Sequence, residues 1–408
     1  MAGLMSDLPR KNGWTIAEHA GDATPDRTQR LLNHAVWDTD AVTGLVRGFV
    51  VEHLRGADLT VGALDESGHQ KQGNATAGVK RQYMGCAGRV ANGVNTVYCT
   101  LATPGGHSLV GARIWVPADQ LQDPDRRAAL GIPDNVEFAT KPQLAKAIVA
   151  DMAADQTLPP WFAGDEVYGR CPQLRGYLEE LGTGYVMRVG CNFRVETTPL
   201  TRERVDDLVA THLTGPSRWE TRSVPGSKGA RAYAWAWLGT TDKNHYILIR
   251  KHLTSGDMAY HYCYVPPGRA VTLTTLIRVA CLRWPVEESF EFGKDHFGLD
   301  HCQVRLYTAM LRHIVLTMAA LAVCAVTAAT EKRQGPQPVL PDHPDQQPPR
   351  DPGLIALTVA EIKRLFNLLN PVDHDITHHL HWVTWRQRHQ ARARWYHHRT
   401  RLRRDQPT

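Results

Sequence analysis

Apolar positions recur along this chain with different periods, and each change of period marks a change of element. Val42, Leu45, Val46, Phe49, Val50 and Leu54 repeat at helical spacing, and Thr24-Pro25 starts a shorter amphipathic helix before them. From Leu59 the pattern shortens. Leu59 to Leu64 is an apolar run ending in Asp65; Asn95 to Ala102 and Ser108 to Val116 are β-rich segments on either side of the turn Thr103-Pro104-Gly105-Gly106. Three consecutive strands are expected. Helical periodicity returns from Lys141 to Ala154, followed by the short run Trp161 to Gly164 ending in Asp165, a helix from about Pro172 to Leu181, and a strand Tyr185 to Val189. The order β-β-β-α-β-α-β predicts an α/β fold with a mixed sheet flanked by helices.

Beyond Val189 the pattern changes again. Arg231 to Leu238 and His245 to Lys251 alternate, with turns at Pro225-Gly226 and Pro266-Pro267-Gly268, so residues 190 to 270 read as a β-rich insertion. A helix is expected from near Val271 through Lys294, broken or kinked at Pro285. The apolar run Ile314 to Ala329 is shorter than the roughly 20 residues that cross a bilayer and has charged flanks, which predicts a buried helix. Gln334 to Gly353 carries seven prolines and no apolar period, as a linker does. The chain thus divides into a helical N-terminal unit (1–57), a first core part (58–189), the insertion (190–270), the last core helices (271–333), the linker (334–353) and a basic C-terminal tail (354–408).

Composition narrows the function classes. With 408 residues, 42% hydrophobic and 22% charged, the chain is neither a disulfide mini-protein nor a disordered tail. Its eight Cys never form a CxxC pair and no signal peptide precedes them, which predicts free thiols in a reducing cytoplasm. The net charge of +6 is mild, so its distribution matters more than its size. From Thr377 to Arg404 there is no acidic residue, and Arg386, Arg388, Arg392, Arg394, Arg399, Arg401, Arg403 and Arg404 alternate with His, Trp382, Trp385, Trp395 and Tyr396. That mixture suits a polyanion, with Arg on phosphates and rings for stacking; the alternative is a solvated terminal helix. His374, His378, His379 and His381 cluster here without Cys partners, so a DNA-facing basic tail is the plainer reading than a zinc site.

Two predicted strands end in the same dipeptide, Asp65-Glu66 and Asp165-Glu166. Carboxylates at the ends of adjacent buried strands face one crevice and can share a hard cation; a single strand-end Asp more commonly serves a turn or cap. In Arg283-Trp284-Pro285-Val286-Glu287-Glu288-Ser289-Phe290-Glu291-Phe292-Gly293-Lys294, the spacing puts Arg283, Glu287 and Lys294 on one helix face and turns Glu288 away, with Glu291 near the stripe. A surface ion-pair ladder would look the same.

Four blocks in order carry a resemblance. Leu64-Asp65-Glu66-Ser67-Gly68-His69-Gln70-Lys71-Gln72-Gly73, Val79-Lys80-Arg81-Gln82-Tyr83, Ala163-Gly164-Asp165-Glu166-Val167-Tyr168-Gly169, and Arg283-Trp284 to Lys294 followed by Phe297-Gly298-Leu299-Asp300-His301 resemble the DDE transposases of bacterial insertion sequences. The similar branch has its third carboxylate in a Y-x2-R-x3-E-x6-K pattern after a β insertion. The resemblance runs from about residue 12 to 330, with an echo in Leu354 to Glu361 and the Arg-rich tail.

It implies an RNase H-like catalytic domain in which Asp65, Asp165 and Glu287 hold two Mg²⁺ ions, Mn²⁺ substituting, for in-line phosphoryl transfer. It further implies that Arg283 and Lys294 grip phosphates beside the scissile bond, and that Trp235 and Trp237 are candidates to stack a flipped or terminal base. For these tryptophans core packing is at least as good a reading, because Tyr233, Trp235 and Trp237 alternate as one strand face would. The partners implied are double-stranded DNA, as terminal inverted repeats and target, and a second copy of the chain; a membrane is not. The location implied is the bacterial cytoplasm, at the nucleoid. The sequence departs from the pattern at Ala280, where a Tyr is expected three residues before Arg283, and only 64 residues precede Asp65, fewer than such proteins carry. Two further readings compete: a truncated or domesticated transposase that binds DNA without strand transfer, and a nuclease on the same fold.

Overall fold

The computed structural model describes residues 1–404 except 57, 199–200, 225–230, 336–337, 340, 342, 344–345 and 348. The turn Pro225-Gly226 and part of the proline-rich stretch therefore lie outside the described residues. Twelve strands are present among those described: β1 Val61–Gln70, β2 Lys80–Met84, β3 Arg89–Thr103, β4 Gly106–Ile114, β5 Trp161–Gly164, β6 Gly184–Val189, β7 Arg194–Thr198, β8 Thr201–Arg204, β9 Glu220–Val224, β10 Arg231–Gly239, β11 His245–His252 and β12 Met258–Tyr264. The first three expected strands are four: β2 forms from the block at Lys80 and pairs with the first half of β3.

Strand pairing sets the architecture. β1 runs antiparallel to β3 and parallel to β5, β3 carries β4 at its other edge, and β5 is parallel to β6. The order β4-β3-β1-β5-β6, three antiparallel strands and then two parallel ones, is the RNase H-like mixed sheet. The insertion does not form a sheet of its own. β12 pairs antiparallel with β6, and β11, β10 and β9 follow, so the same sheet continues outward; β7 and β8 form a separate hairpin.

Helices cover this sheet according to the residues it presents. The helices Thr39–Leu54 and Tyr307–Gln334 pack on β4, and Lys141–Ala154 packs on β3 and β4. Gly111 in β4 permits that approach: a Cβ there would stand 2.5 Å from Cγ2 of Ile148. Val46, Val50 and Leu54 join this core as their spacing predicts, whereas Leu45 is 74% exposed. On β10 and β11 the period of two sorts the side chains: Trp235 and Leu248 face one core with the helix Leu273–Cys281, while Ala236, Ile247 and Ile249 face another with the helix Val205–His212. Each face of the β10–β11 pair thus contributes to a core.

The helix Tyr307–Gln334 is long and apolar enough to span a membrane, yet most of that stretch is buried inside the fold. Its Met310, Ile314, Met318 and Leu321 fill the main core, as expected for a buried helix. The helical stretch expected to break or kink at Pro285 is broken there into two helices, Leu273–Cys281 and Pro285–Phe297.

The C-terminal helix Ile376–Arg404 is not a free tail. His374, His378 and His381 reach the backbone carbonyls of His19, Glu18 and Ala23 at 3.1, 2.9 and 2.8 Å. A ring nitrogen facing a carbonyl must donate, so these nitrogens carry protons and are satisfied as structural donors. Trp14 packs edge-on against Trp385 and His389. Ahead of it the helix Val359–Leu369 is tied back by Lys363, whose ammonium lies 2.6 Å from Asp7.

Candidate active site

Asp65 and Asp165 are brought together by one pairing register. β1 and β5 are parallel with Leu64 opposite Gly164, so the residue after each, an Asp in both cases, comes to the same level of the sheet. Asp165 stands at the end of its strand, as expected, and caps the short helix Glu166–Gly169 by accepting the Val167 N–H at 2.9 Å. Asp65 does not: β1 continues to Gln70, with Asp65 opposite Tyr98 in mid-strand. A run of apolar residues reveals where a strand is buried on both faces; it cannot reveal how far pairing continues once the outward positions turn polar.

Glu287 enters from the first turn of the helix Pro285–Phe297. The link to β1 is Arg283, whose Nη1 donates to Asp65 Oδ2 at 2.8 Å and whose Nη2 donates to Glu287 Oε1 at 3.1 Å. The grouping does not come from the one helix face that the spacing predicts. Arg283 is not on the helix with Glu287 but in the turn before it; that turn has near-helical backbone at Trp284, which preserves the i, i+4 contact. Lys294, on the same helix, is not at the carboxylates. It lines a small cavity with Ser67, His69 and Asp300, beside the later part of β1. Glu288 points elsewhere, as the spacing requires, with an oxygen 3.2 Å from His107 Nε2.

Electrostatics mark the cluster as short of positive charge. Burial raises the Asp65 carboxyl to about 7, against the pull of Arg283, with Asp165 and Glu66 adding to the rise. Burial also raises Asp165, helped by Glu66, and raises Glu287 against Arg283. Glu66 is a group the sequence reading left without a role. Lys141 salt-bridges it, and Tyr168 donates its hydroxyl to it at 2.9 Å. Tyr168 lies in a quoted block, but nothing local in the sequence ties Lys141 to strand β1.

Three carboxylates form a hard oxygen donor set of the kind divalent cations take. As the side chains lie, no three His, Cys, Asp or Glu among the described residues are grouped to hold an ion, and Arg283 lies between two of the three. The donor chemistry fits a metal; the positive charge now present is the guanidinium.

The other nominated residues separate. Trp235 is 1% exposed and belongs to the core under Leu273–Cys281, in line with the core-packing reading of this residue. Trp237 is half-buried and stacks on Tyr246 with centroids 5.1 Å apart. Arg386 is engaged within the chain, its Nη1 2.6 Å from Glu18 Oε2, and is not a free phosphate ligand. Arg388, Arg392 and Arg394 are exposed farther along the helix.

The strand order is that of an RNase H-like fold, and it carries an acidic cluster on its paired strands. A family model described as DDE superfamily endonuclease matches residues 1–240, and the chain belongs to that family. Such endonucleases generally use divalent metals. The match includes Asp65 and Asp165 and stops short of Glu287. The chain is 26% identical over 253 residues to a probable transposase for insertion sequence element IS701 from Microchaete diplosiphon, an alignment covering 59% of this chain and 61% of that relative. The chain thus spans somewhat under two thirds of the curated relative it matches. Among solved structures, the piggyBac transposase synaptic complex with hairpin DNA is similar at 10% identity and a TM-score of 0.43, over 83% of this chain and 57% of that one.

Proposed function

We propose that this chain is an insertion-sequence transposase, which cuts double-stranded DNA at the element's terminal inverted repeats and joins the ends to target DNA. The observation that carries the reading is the bridge from Asp65 through Arg283 to Glu287, beside Asp165. It draws a carboxylate from far along the chain onto the paired strands. The likeness to the IS701 protein supports it.

Asp65, Asp165 and Glu287 would hold two Mg²⁺ ions, with Mn²⁺ as substitute. When bound, the ions activate a water or 3′-hydroxyl and stabilise the leaving oxygen. The chain's own residues do the remainder. Lys141 and Tyr168 engage the Glu66 carboxylate, which would leave Asp65, Asp165 and Glu287 as the metal-holding set. Arg283 offers a planar fork that matches a phosphate's two oxygens. Exposed Arg388, Arg392 and Arg394 carry sequence-independent attraction for the duplex. Two ends must be held together during transposition, so the working form is a homodimer on DNA, acting in the bacterial cytoplasm at the nucleoid.

The test is cleavage of a labelled duplex carrying the element end, with Mg²⁺ or Mn²⁺ against EDTA and Asp165→Asn as control, followed by a joining assay. Metal-dependent cutting and joining, both lost in the variant, is the expected result. Cutting without joining would make it a nuclease, and binding without cutting a DNA-binding relic.

A further inference from the structure

Arg283 stands on a boundary. On one side it bridges Asp65 and Glu287; on the other it lines a cavity of about 260 Å³ beside β6, β10, β11 and β12. Arg188, Arg231 and Arg250 line the same cavity, and no Asp or Glu does among the described residues. None of those three arginines has a carboxylate partner among the described residues. Arg250 instead lies 4.7 Å over the ring of Tyr233. Trp235 completes the wall: its indole nitrogen is buried and has no acceptor, although an indole N–H can only donate. The cavity therefore presents four guanidinium groups and an orphan indole donor with no carboxylate among its described lining, and the His261 ring that also lines it is buried. What it lacks is a small anion with several oxygens.

Ala280 lines this cavity too. It is the position where the resembled pattern has Tyr, and a methyl group there leaves the space open while the arginines supply the donors.

We infer that this cavity receives a phosphodiester group of bound DNA, and that Arg283 is an exchangeable counter-ion that leaves Asp65 and Glu287 for that phosphate and so vacates the carboxylates for metal. The inference rests on the reading of those carboxylates as metal ligands. Its physical logic is mutual exclusion. A guanidinium and a divalent cation compete for the gap between the largely buried Asp65 and the part-exposed Glu287, because like charges in a poorly solvated site repel. A phosphate behind Arg283 gives it an alternative partner of equal charge type. Metal and DNA binding then reinforce one another, and by linkage the effect is the same in both directions.

The experiment is calorimetric titration of the full chain with Mg²⁺, alone and with a short blunt duplex. For the natural chain, the duplex should tighten Mg²⁺ binding by about tenfold or more. Arg283→Ala should bind Mg²⁺ without DNA about as tightly as the natural chain does with it, and the duplex should add nothing further. Arg283→Lys, which keeps the charge and loses the fork, should fall between and serves if the alanine variant does not fold. Trp235→Phe, which keeps a ring and removes the donor, should shrink the gain brought by the duplex. Mg²⁺ binding that is unchanged or weaker in Arg283→Ala and Arg283→Lys without DNA overturns the exchange. If Asp165→Asn binds Mg²⁺ like the natural chain, the metal-ligand reading itself fails, which is a separate outcome.

Discussion

Trp382 donates its indole N–H to the carbonyl of Asp22 at 2.9 Å, joining residues 360 apart in the chain. Its side chain is fully buried, and Arg386 pairs with Glu18 one turn farther on. The N-terminal helices and the C-terminal helix therefore form one clasped unit that reaches at least to His389, which packs on Trp14.

The clasp has a measurable strength. Trp382→Ala removes a buried indole and its hydrogen bond, a change that costs about 3–5 kcal/mol in a well-packed site. The C-terminal helix should then be trimmed by trypsin much faster than in the natural chain, while the sheet remains protected. Equal trimming rates would mean that the helix is held by something other than Trp382.

Asp65→Asn, Asp165→Asn and Glu287→Gln should each abolish cleavage and leave duplex binding within a few-fold, whereas Glu288→Gln should cut normally because its carboxylate is committed to His107. The readouts are a nicking assay and a gel shift on one DNA. A dead Glu288→Gln beside an active Glu287→Gln would assign the third carboxylate to the wrong residue.

Stability should fall as pH rises toward neutrality in metal-free protein. The Asp65 carboxyl, raised to about 7 chiefly by burial, keeps its proton in the folded chain above the pH at which the unfolded chain releases it, near 4. Between those values the folded state binds more protons, so raising pH favours unfolding. Melting temperatures in EDTA from about pH 5 to 7.5 should show a downward slope that Asp65→Asn reduces. Parallel slopes for the two proteins would show that Asp65 does not carry the effect.

For the basic helix, replacing Arg388, Arg392 and Arg394 together by Ala should weaken binding to all duplexes alike and lower the slope of log K against log salt by about 0.9 per lost phosphate contact. Arg386→Ala should leave that slope alone and act on the clasp instead, since its guanidinium already faces Glu18. Fluorescence anisotropy across a salt series separates the two behaviours.

Much of the local structure was legible before any contact was known. Lys141–Ala154 and Trp161–Gly164 fall where the pattern puts them, and β6 begins one residue earlier than expected, because each is fixed by its own periodicity and its own breakers. β2, β9 and β12 were not legible as strands. They are short or half-polar, and their conformation depends on the neighbour they pair with.

The sequence by itself determined the elements of the core, the break before Pro285, the exclusion of Glu288 from the acidic cluster and the family. The tertiary structure alone decided that the insertion extends the main sheet through β12 on β6, that Arg283 stands between Asp65 and Glu287, that Trp235 is core, and that the basic helix is half clasp and half free surface. The physical reason is one of range. Helix and turn preferences act over a few residues, whereas strand-edge pairing, burial and charge compensation act between residues hundreds of positions apart, and no local period records which of them will meet.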